Sequence, residues 1–353
     1  MVVDVNSAPE QVSAYVKEHA ARGLDHVKEL VGGEGEAVLS LIAGVSENEA
    51  AYSPAAGEFS ISQVVQHLNG SIERGIERLK TLTSGRPFVY EGPRIGPGSI
   101  PPDAPKTFAA ARDAFAKGVD AVMAVLDAAD PKVGLDLTSE HATFGPFNWL
   151  EWAVYSHHVH PHDHVLQIVK IKEALERRRQ RVQQVRAAIR DQTALPTAEL
   201  KARLSRESDS ILALSEGLSE EEASFSPAEG EWSVSLVMQH LVGGYQRNRE
   251  RIALLSSGRP YAGPPPVPGT LPDKPLGSFA EVRRLFVEAR DAILDLLEKA
   301  GRSANLELTT EHSAFGSMNW REWCVFTLDF HARDHRGQIE KIKTALEQGA
   351  GRA

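Results

Sequence analysis

The residues of this sequence best suited to chemistry are histidines that lie four positions apart. The chain contains thirteen histidines, and three pairs share the spacing His-x-x-x-His. Because an α-helix turns by about 100° per residue, such a pair lies on one helix face, one turn apart. Two neutral imidazoles in that arrangement can chelate a divalent cation. Thirteen histidines produce such a pair by chance often enough that the spacing alone is a weak signal.

Two of the three pairs recur in similar surroundings. His160 and His164 lie in HVHPHDHVLQIVKIK, and His331 and His335 lie in DFHARDHRGQIEKIK. A site that is present twice is a stronger indication of function than a single pair. These four histidines are therefore predicted to be metal ligands.

A metal ion needs at least a third ligand, and a third histidine is also repeated. His67 in VVQHLNG and His240 in VMQHLVG each lie about two turns into another predicted helix, among apolar residues. Burying a polar ring is costly unless the ring is paired, hydrogen-bonded or ligated. A single such histidine is typical of a hydrogen-bonded core residue, but its repetition beside a repeated pair favours a metal site in each copy.

The remaining pair, His158 and His162, is not repeated. Asp329 and Arg333 occupy the corresponding positions in the second copy. The pair also points away from the face of the predicted ligands. We expect it to be a solvated surface pair.

Polar residues beside the predicted ligands could orient them. An aspartate precedes the last histidine of each copy, and a glutamine follows that histidine by about one turn. Either could accept a hydrogen bond from a ligand imidazole and fix its tautomer, although an ordinary structural contact is an equally good interpretation. These residues are Asp163, Gln167, Asp334 and Gln338.

Four further residues are weaker candidates for catalysis. Arg74 and Arg247 lie two turns after the single histidine of each copy and could bind an anionic substrate, although a solvated helix arginine is the commoner case. His141 and His312 lie in a loop before the last helix of each copy. They could act as acid or base in the cleft, or could make a loop contact.

The chain contains one sequence twice. Residues 53–87 match residues 226–260 without a gap at more than half of the positions, and residues 139–175 match residues 310–346 at about half. Two homologous domains are the simplest explanation. We place them at residues 1–190 and 191–353.

Each half is predicted to consist of amphipathic helices, because apolar residues recur at spacings of three and four residues. Capping boxes at Ser60 and Gln63 and at Asn148 and Glu151 mark two helix starts. Long Pro-rich segments separate the second and third helices of each half. The prediction is an all-α chain of two tandem four-helix bundles. Helices are expected near 11–46, with Gly32-Gly33 as the candidate interruption, and near 60–83, 107–128, 148–180, 198–218, 233–256, 278–300 and 319–348.

Composition and charge exclude several classes of protein for this chain. The net charge of −9 and the pI near 5.8 argue against a nucleic-acid binder, so the arginines from Arg177 to Arg190 are expected on a solvated helix. The single cysteine, Cys324, excludes an internal disulfide. We expect no membrane span and no secretory signal, and hence a cytoplasmic protein.

The combined pattern resembles the DinB-like superfamily, which includes the YfiT-like proteins. It comprises "QHL" on the second helix, "H-x-x-D-H-x-x-Q-I" on the last, "E-W-S-V", and "F-G-x-x-N-W-x-E-W". The resemblance covers nearly the whole chain as two successive domains. It implies four-helix bundles that each bind a divalent metal ion through three histidines, here His67, His160 and His164 in one copy and His240, His331 and His335 in the other.

The resemblance also implies partners and activities. Members are usually homodimers, so a tandem chain implies an intrachain pseudo-dimer. The better-characterised activity is a thiol S-transferase that uses mycothiol, bacillithiol or a related low-molecular-weight thiol in detoxification or stress response. A metal-dependent hydrolase and a non-catalytic metal-binding stress protein are alternatives. The metal could be zinc, nickel or iron, and the thiol must come from outside the chain because no cysteine is repeated.

Overall fold

The computed structural model describes residues 2–3, 5–55, 57–89, 99–264, 269–272, 274–301 and 305–350. The chain divides into two compact units, Met1–Arg178 and Arg179–Ala353. This division falls inside a helix, before the domain boundary that the sequence predicts between residues 190 and 191. The predicted boundary remains a prediction.

The first unit is a four-helix bundle with short additional elements. Its bundle helices are α2, α4, α5 and the continuous helix formed by α6, π1 and α7, whose apolar faces share one core. The elements are α1 (Pro9–Ala20), α2 (Leu24–Ile42), α3 (Glu47–Ala50), α4 (Ile61–Thr83), α5 (Phe108–Ala128), β1 (Ser139–His141), β2 (Gly145–Phe147), α6 (Trp149–Val154), the π-helix π1 (Tyr155–Val159) and α7 (His160–Thr193), which continues into the second unit.

The second unit repeats this architecture around its own core. Its bundle helices are α8, α10, α11 and the continuous helix of α12, π2 and α13. The prediction of two tandem helical bundles is confirmed. The elements are α8 (Thr197–Leu214), α9 (Glu220–Ser224), α10 (Val234–Ser256), α11 (Phe279–Ala300), β3 (Thr309–His312), β4 (Gly316–Asn319), α12 (Trp320–Val325), π2 (Phe326–His331) and α13 (Ala332–Ala350).

The helices that carry the predicted ligands begin where their sequences predict. Ser60 caps α4 and forms a capping box with Gln63, and Asn148 forms one with Glu151 at the start of α6. Trp149 is fully buried, and its Nε1–H donates a 3.0 Å hydrogen bond to the Val133 carbonyl. This tryptophan therefore belongs to the core of the first unit.

Three local features differ from the sequence-based expectation. The first helical region breaks at Gly23, not at Gly32-Gly33, because Gly23 has φ = 95°, a left-handed value that favours glycine. Two antiparallel hairpins, β1–β2 and β3–β4, precede the last helix of each unit, and strands of three or four residues are too short to show an alternating pattern. The last helix of each unit contains a π-helical turn, a feature often found at functional sites.

The arginine-rich segment is helical, as predicted. It lies within α7, and Arg177, Arg181 and Arg190 are exposed. Among the described residues, no helix combines the length and apolarity that crossing a bilayer requires.

Candidate metal centres

Three histidines converge in the first unit. His67 comes from α4, whereas His160 and His164 lie one turn apart at the start of α7. The Nε2 atom of His160 lies 3.2 Å from Nε2 of His67 and 3.2 Å from Nε2 of His164. The three rings therefore point their Nε2 atoms at one place.

Hydrogen bonds on the far side of two rings fix their tautomers. The Nδ1–H of His67 donates to the carbonyl of Ser99 at 2.8 Å, and the Nδ1–H of His164 donates to Oε1 of Gln167 at 2.8 Å. Both rings thus present an unprotonated Nε2 to His160. The single Nε2 proton that a neutral His160 can carry serves only one of the two contacts, so at least one contact brings two lone pairs together. A cation at this place would remove that repulsion.

The second unit repeats the arrangement with the equivalent residues. Nε2 of His240 on α10 lies 3.0 Å from Nε2 of His331 at the end of π2, and His335 on α13 completes the group. The Nδ1–H of His240 donates to the Thr270 carbonyl at 2.8 Å, and that of His335 donates to Oε1 of Gln338 at 2.9 Å. Nδ1 of His331 is buried and has no hydrogen-bond partner in the described part of the chain.

Burial keeps these imidazoles in the neutral form that binds metals. It is the largest cause of the lowered pKa at every one of the six rings. The pKa of His160 and that of His331 lie well below the ordinary value, because burial acts there together with neighbouring imidazoles and, more weakly, an arginine. All six rings are therefore deprotonated at neutral pH, as ligation requires. The other four are His67, His164, His240 and His335.

The structure distinguishes between the two kinds of polar neighbour. Gln167 and Gln338 each accept a hydrogen bond from the last histidine of their triad. Asp163 and Asp334 form no such bond within the described residues. The negative charge of Asp163 nevertheless acts at His164, where it opposes the lowering of the pKa by burial.

His141 is not one of the converging histidines and lies in an aromatic cluster beside the hairpin. Its ring stacks on Phe144 with centroids 4.6 Å apart and meets Tyr155 edge to face. Nδ1 accepts hydrogen bonds from the backbone N–H groups of Thr143 and Phe144. Burial, aided by the charge of Arg78, lowers its pKa to about 4, which makes it a weak base.

His312 occupies the equivalent position in the second unit. Its ring contacts that of Phe315 at a tilt, with centroids 4.7 Å apart, and Nδ1 accepts hydrogen bonds from the N–H groups of Ala314 and Phe315. Phe326 lies between it and the triad, because this ring contacts both His312 and His331. The pKa of His312 is lowered to about 4, chiefly by burial. These contacts favour a structural role, and an acid–base role for either histidine remains a prediction without direct support.

Arg74 and Arg247 lie near the triads but do not belong to them. The positive charge of Arg74 contributes, after burial, to the lowered pKa of His67 and of His160. Arg247 has the same effect in the second triad. Both positive charges are therefore felt at the triads.

A cleft of about 520 Å³ lies beside the second triad. Trp232, Gln338 and Lys341 contribute to its walls, and His335 forms part of its lining. The Trp232 ring is nearly parallel to that of His335, with centroids 6.2 Å apart. One histidine of the second triad is therefore in contact with a space large enough for a small molecule.

The expectation that His158 and His162 form a solvated surface pair is wrong for His158. His158 is only 4% exposed. Nδ1 of His158 and Nδ1 of His162 lie 3.2 and 3.0 Å from the two oxygens of Glu34, which is itself buried. The hydroxyl of Tyr15 lies 3.0 Å from Nε2 of His158. The pair faces away from the triad, as expected, but α1 and α2 cover that side.

Two site residues could not be recognised from the sequence. Ser99 and Thr270 accept the hydrogen bonds of His67 and His240 through their main-chain carbonyls. Every residue type has such a carbonyl, so the sequence does not indicate which one is used. Their position in the Pro-rich segments was the one available signal. Those segments contain residues 91–98 and 265–268, which lie outside the described residues.

Cys324 cannot supply a thiolate. It is fully buried, and burial raises the pKa of its thiol to about 12. It is therefore a small buried side chain of the second core.

The fold and the repeated triads define a class of protein, a tandem helical bundle with a three-histidine group in each half. The chain matches the DinB superfamily over residues 33–168 and again over 203–339. These segments make up well over half of its length, and the chain therefore belongs to the DinB superfamily. No curated protein and no solved structure shows significant similarity to it.

Proposed function

We propose that each unit binds one divalent metal ion through its three histidines, and that the protein is a thiol-dependent S-transferase. The observation that carries this proposal is the convergence of Nε2 atoms in both units. Donors that converge from two helices, with tautomers fixed from behind, are what a resident cation requires. Nitrogen-only ligation suits zinc, nickel or iron.

Three neutral imidazoles leave the positive charge of a metal ion uncompensated, which favours an anionic further ligand. A bound divalent cation would lower the pKa of a thiol that coordinates it and so provide a nucleophile at neutral pH. The chain itself has no suitable thiol, because Cys324 is buried and protonated. The nucleophile is therefore a low-molecular-weight thiol such as mycothiol or bacillithiol, and the reaction fits detoxification or stress response.

Other residues of the site would position the reactants. Gln167 and Gln338 hold the last ligand of each triad in the tautomer that exposes Nε2. The cleft beside His335 offers room for the electrophile. The two family matches in one chain support an intrachain pseudo-dimer, for which light scattering should give the mass of a single chain.

Metal analysis of protein purified without a His tag is the first test. We expect about two metal ions per chain, and none after the double substitution His164→Ala and His335→Ala. A Gln348→Ala variant, altered at an exposed position on α13, should retain both ions. Absence of metal from the unaltered protein after exposure to zinc, nickel or iron at pH 7.5 overturns the proposal.

The second test concerns turnover. The metal-loaded protein is incubated with candidate thiols and the electrophile monochlorobimane, and conjugate formation is compared with that of the His164→Ala/His335→Ala variant. Thiol-dependent product that needs the triads supports the transferase. Hydrolysis of model esters or amides without a thiol would identify a hydrolase instead, and metal binding without any turnover would identify a metal-binding stress protein.

A further inference from the structure

We infer that Arg74 and Arg247 are the carboxylate-binding residues of the two sites, so that the thiol or substrate bound there carries a carboxylate group. The inference rests on the proposed function, because the carboxylate would be bound beside the proposed metal ion. It specifies the chemical class of the ligand, which the triads by themselves do not.

The first observation is the direction of the guanidinium groups. Arg74 lies two turns after His67 on α4, and Gly70 lies between them. Nη1 of Arg74 is 3.3 Å from the position that a Cβ atom on Gly70 would occupy. The side chain therefore folds back along the helix toward His67, over a residue without a side chain.

The second unit shows the same arrangement. Nη1 of Arg247 is 3.1 Å from the corresponding position on Gly243, which lies between His240 and Arg247 on α10. Helical side chains normally lean toward the helix N-terminus, so the backward path alone is ordinary, but both copies place a glycine beneath the arginine. The repetition indicates that the glycine and the arginine act together.

The Pro-rich segment contacts both the triad and the glycine beneath the arginine. Ser99 accepts the hydrogen bond of His67, and two residues later the Pro101 ring lies against Gly70, with Cγ 2.4 Å from the same Cβ position. One stretch of backbone therefore contacts both the first ligand and the glycine beneath the arginine. Thr270 and Pro272 have the same relationship to His240 and Gly243, with Cγ of Pro272 at 3.5 Å.

Among the described residues, the two guanidinium groups make few contacts with other polar groups. Arg74 donates one hydrogen bond, of 3.3 Å, to the Ser71 hydroxyl. Within the described residues, neither Arg74 nor Arg247 forms an ion pair, whereas Arg290 and Arg333 each pair with acidic side chains. Most of the donors of both groups are thus available to a ligand.

The chemistry of the group favours a carboxylate. A guanidinium presents parallel N–H donors that match the two oxygens of a carboxylate, and such charge-assisted pairs are among the strongest hydrogen bonds in proteins. A bound metal ion would add a second positive charge nearby. A small thiol acid could therefore place its sulfur at the triad and its carboxylate on the arginine.

The experiment uses the full chain loaded with Co²⁺, since thiolate binding to cobalt gives a charge-transfer absorption band that needs no turnover. The probes are 3-mercaptopropionate and its methyl ester, which differ in the carboxylate charge. We expect the acid to bind at least about tenfold more tightly than the ester, as a charge-assisted hydrogen bond predicts. The double substitution Arg74→Met and Arg247→Met should abolish this preference and leave ester affinity and cobalt content unchanged.

Two control variants sharpen the result. Arg112→Met removes a half-buried arginine of α5, which pairs with Asp113, and should keep the full preference. Arg74→Lys with Arg247→Lys keeps the charge but loses the paired donors, and should keep part of the preference. Circular dichroism and cobalt content show whether each variant is folded.

The outcomes separate the inference from the proposed function. If the unaltered protein fails to bind Co²⁺, the proposed metal site itself is wrong. If cobalt binds and neither probe gives a charge-transfer band, both the transferase proposal and the inference fail. If both probes bind equally well, or the methionine variant weakens both equally, the inference alone is overturned.

Discussion

His164 and Gln167 lie one helical turn apart on α7, and the Nδ1–H of His164 donates a 2.8 Å hydrogen bond to Oε1 of Gln167. His335 and Gln338 repeat the pair at 2.9 Å on α13. The glutamine makes the proton reside on Nδ1 and directs the Nε2 lone pair at the other two rings. The pair thus links a side chain outside the triad to the donor strength of a proposed ligand.

Removal of one glutamine should therefore weaken one site and spare the other. Gln338→Leu should reduce metal affinity in the second unit by about tenfold to a hundredfold, the usual effect of losing a partner behind a ligand. A metal titration followed by calorimetry should then show two separate binding steps. Gln348→Leu, an exposed substitution on the same helix, should leave the titration unchanged, and identical curves for the two variants would contradict the assigned role.

Acid should destabilise the metal-free protein, in part through His141 and His312. Burial lowers the pKa of each from 6.5 to about 4. Between these values the unfolded chain binds a proton at each histidine and the folded chain does not. The free energy of unfolding therefore falls as the pH drops from 6.5 toward 4.

Urea unfolding of the metal-free protein at several pH values measures this slope. The double substitution His141→Phe and His312→Phe removes both groups and should flatten the dependence between pH 6.5 and 4. The lost hydrogen bonds to the loop backbone would shift the whole curve without changing its slope. If the free energy of unfolding changes with pH equally steeply in both proteins, these two histidines are not the cause of the acid destabilisation.

The repeated triads could be predicted because two local rules coincide in the sequence. The spacing of His160 and His164 places them on one helix face, and the capping box at Ser60 sets where α4 begins and hence where His67 points. Repetition in the second half then distinguishes these histidines from chance pairs. The glutamines were predicted for the same reason, because helix periodicity places them one turn further on.

Features that depend on packing between helices could not be predicted. Helix periodicity shows that His158 faces away from the triad, but not that Glu34 of α2 and Tyr15 of α1 cover it. The carbonyls of Ser99 and Thr270 are a property of chain path and not of residue type. Such contacts join residues that are distant in sequence, where periodicity carries no information.

The buried carboxylate of Glu34 should be a stabilising partner of His158 and His162. Glu34→Ala would leave the Nδ1–H of the half-buried His162 without its acceptor and would remove the carboxylate beside Nδ1 of the buried His158, which costs about 1–3 kcal/mol. Glu36→Ala, an exposed change on α2, should alter stability by less than about 0.5 kcal/mol. Urea unfolding of the full chain measures both, and equal stability of the two variants would show that the contact contributes nothing.

Gly75 should tolerate no side chain, because His157 lies directly against it. A Cβ atom at this position would be 2.5 Å from Cε1 and Nε2 of the buried His157 ring. Gly75→Ala should therefore destabilise the protein by about 1–3 kcal/mol through overpacking, less the gain of about 1 kcal/mol from the better helix propensity of alanine. Gly33 in α2 is the matched control, since a Cβ atom there meets nothing within 4 Å. Gly33→Ala should stabilise the protein by about 0.5–1 kcal/mol. The midpoint of thermal unfolding should therefore rise for Gly33→Ala and fall for Gly75→Ala. If both substitutions stabilise the protein, the His157 ring can move aside at little cost. The close packing of α4 against π1 would then not be what holds this ring beside the triad.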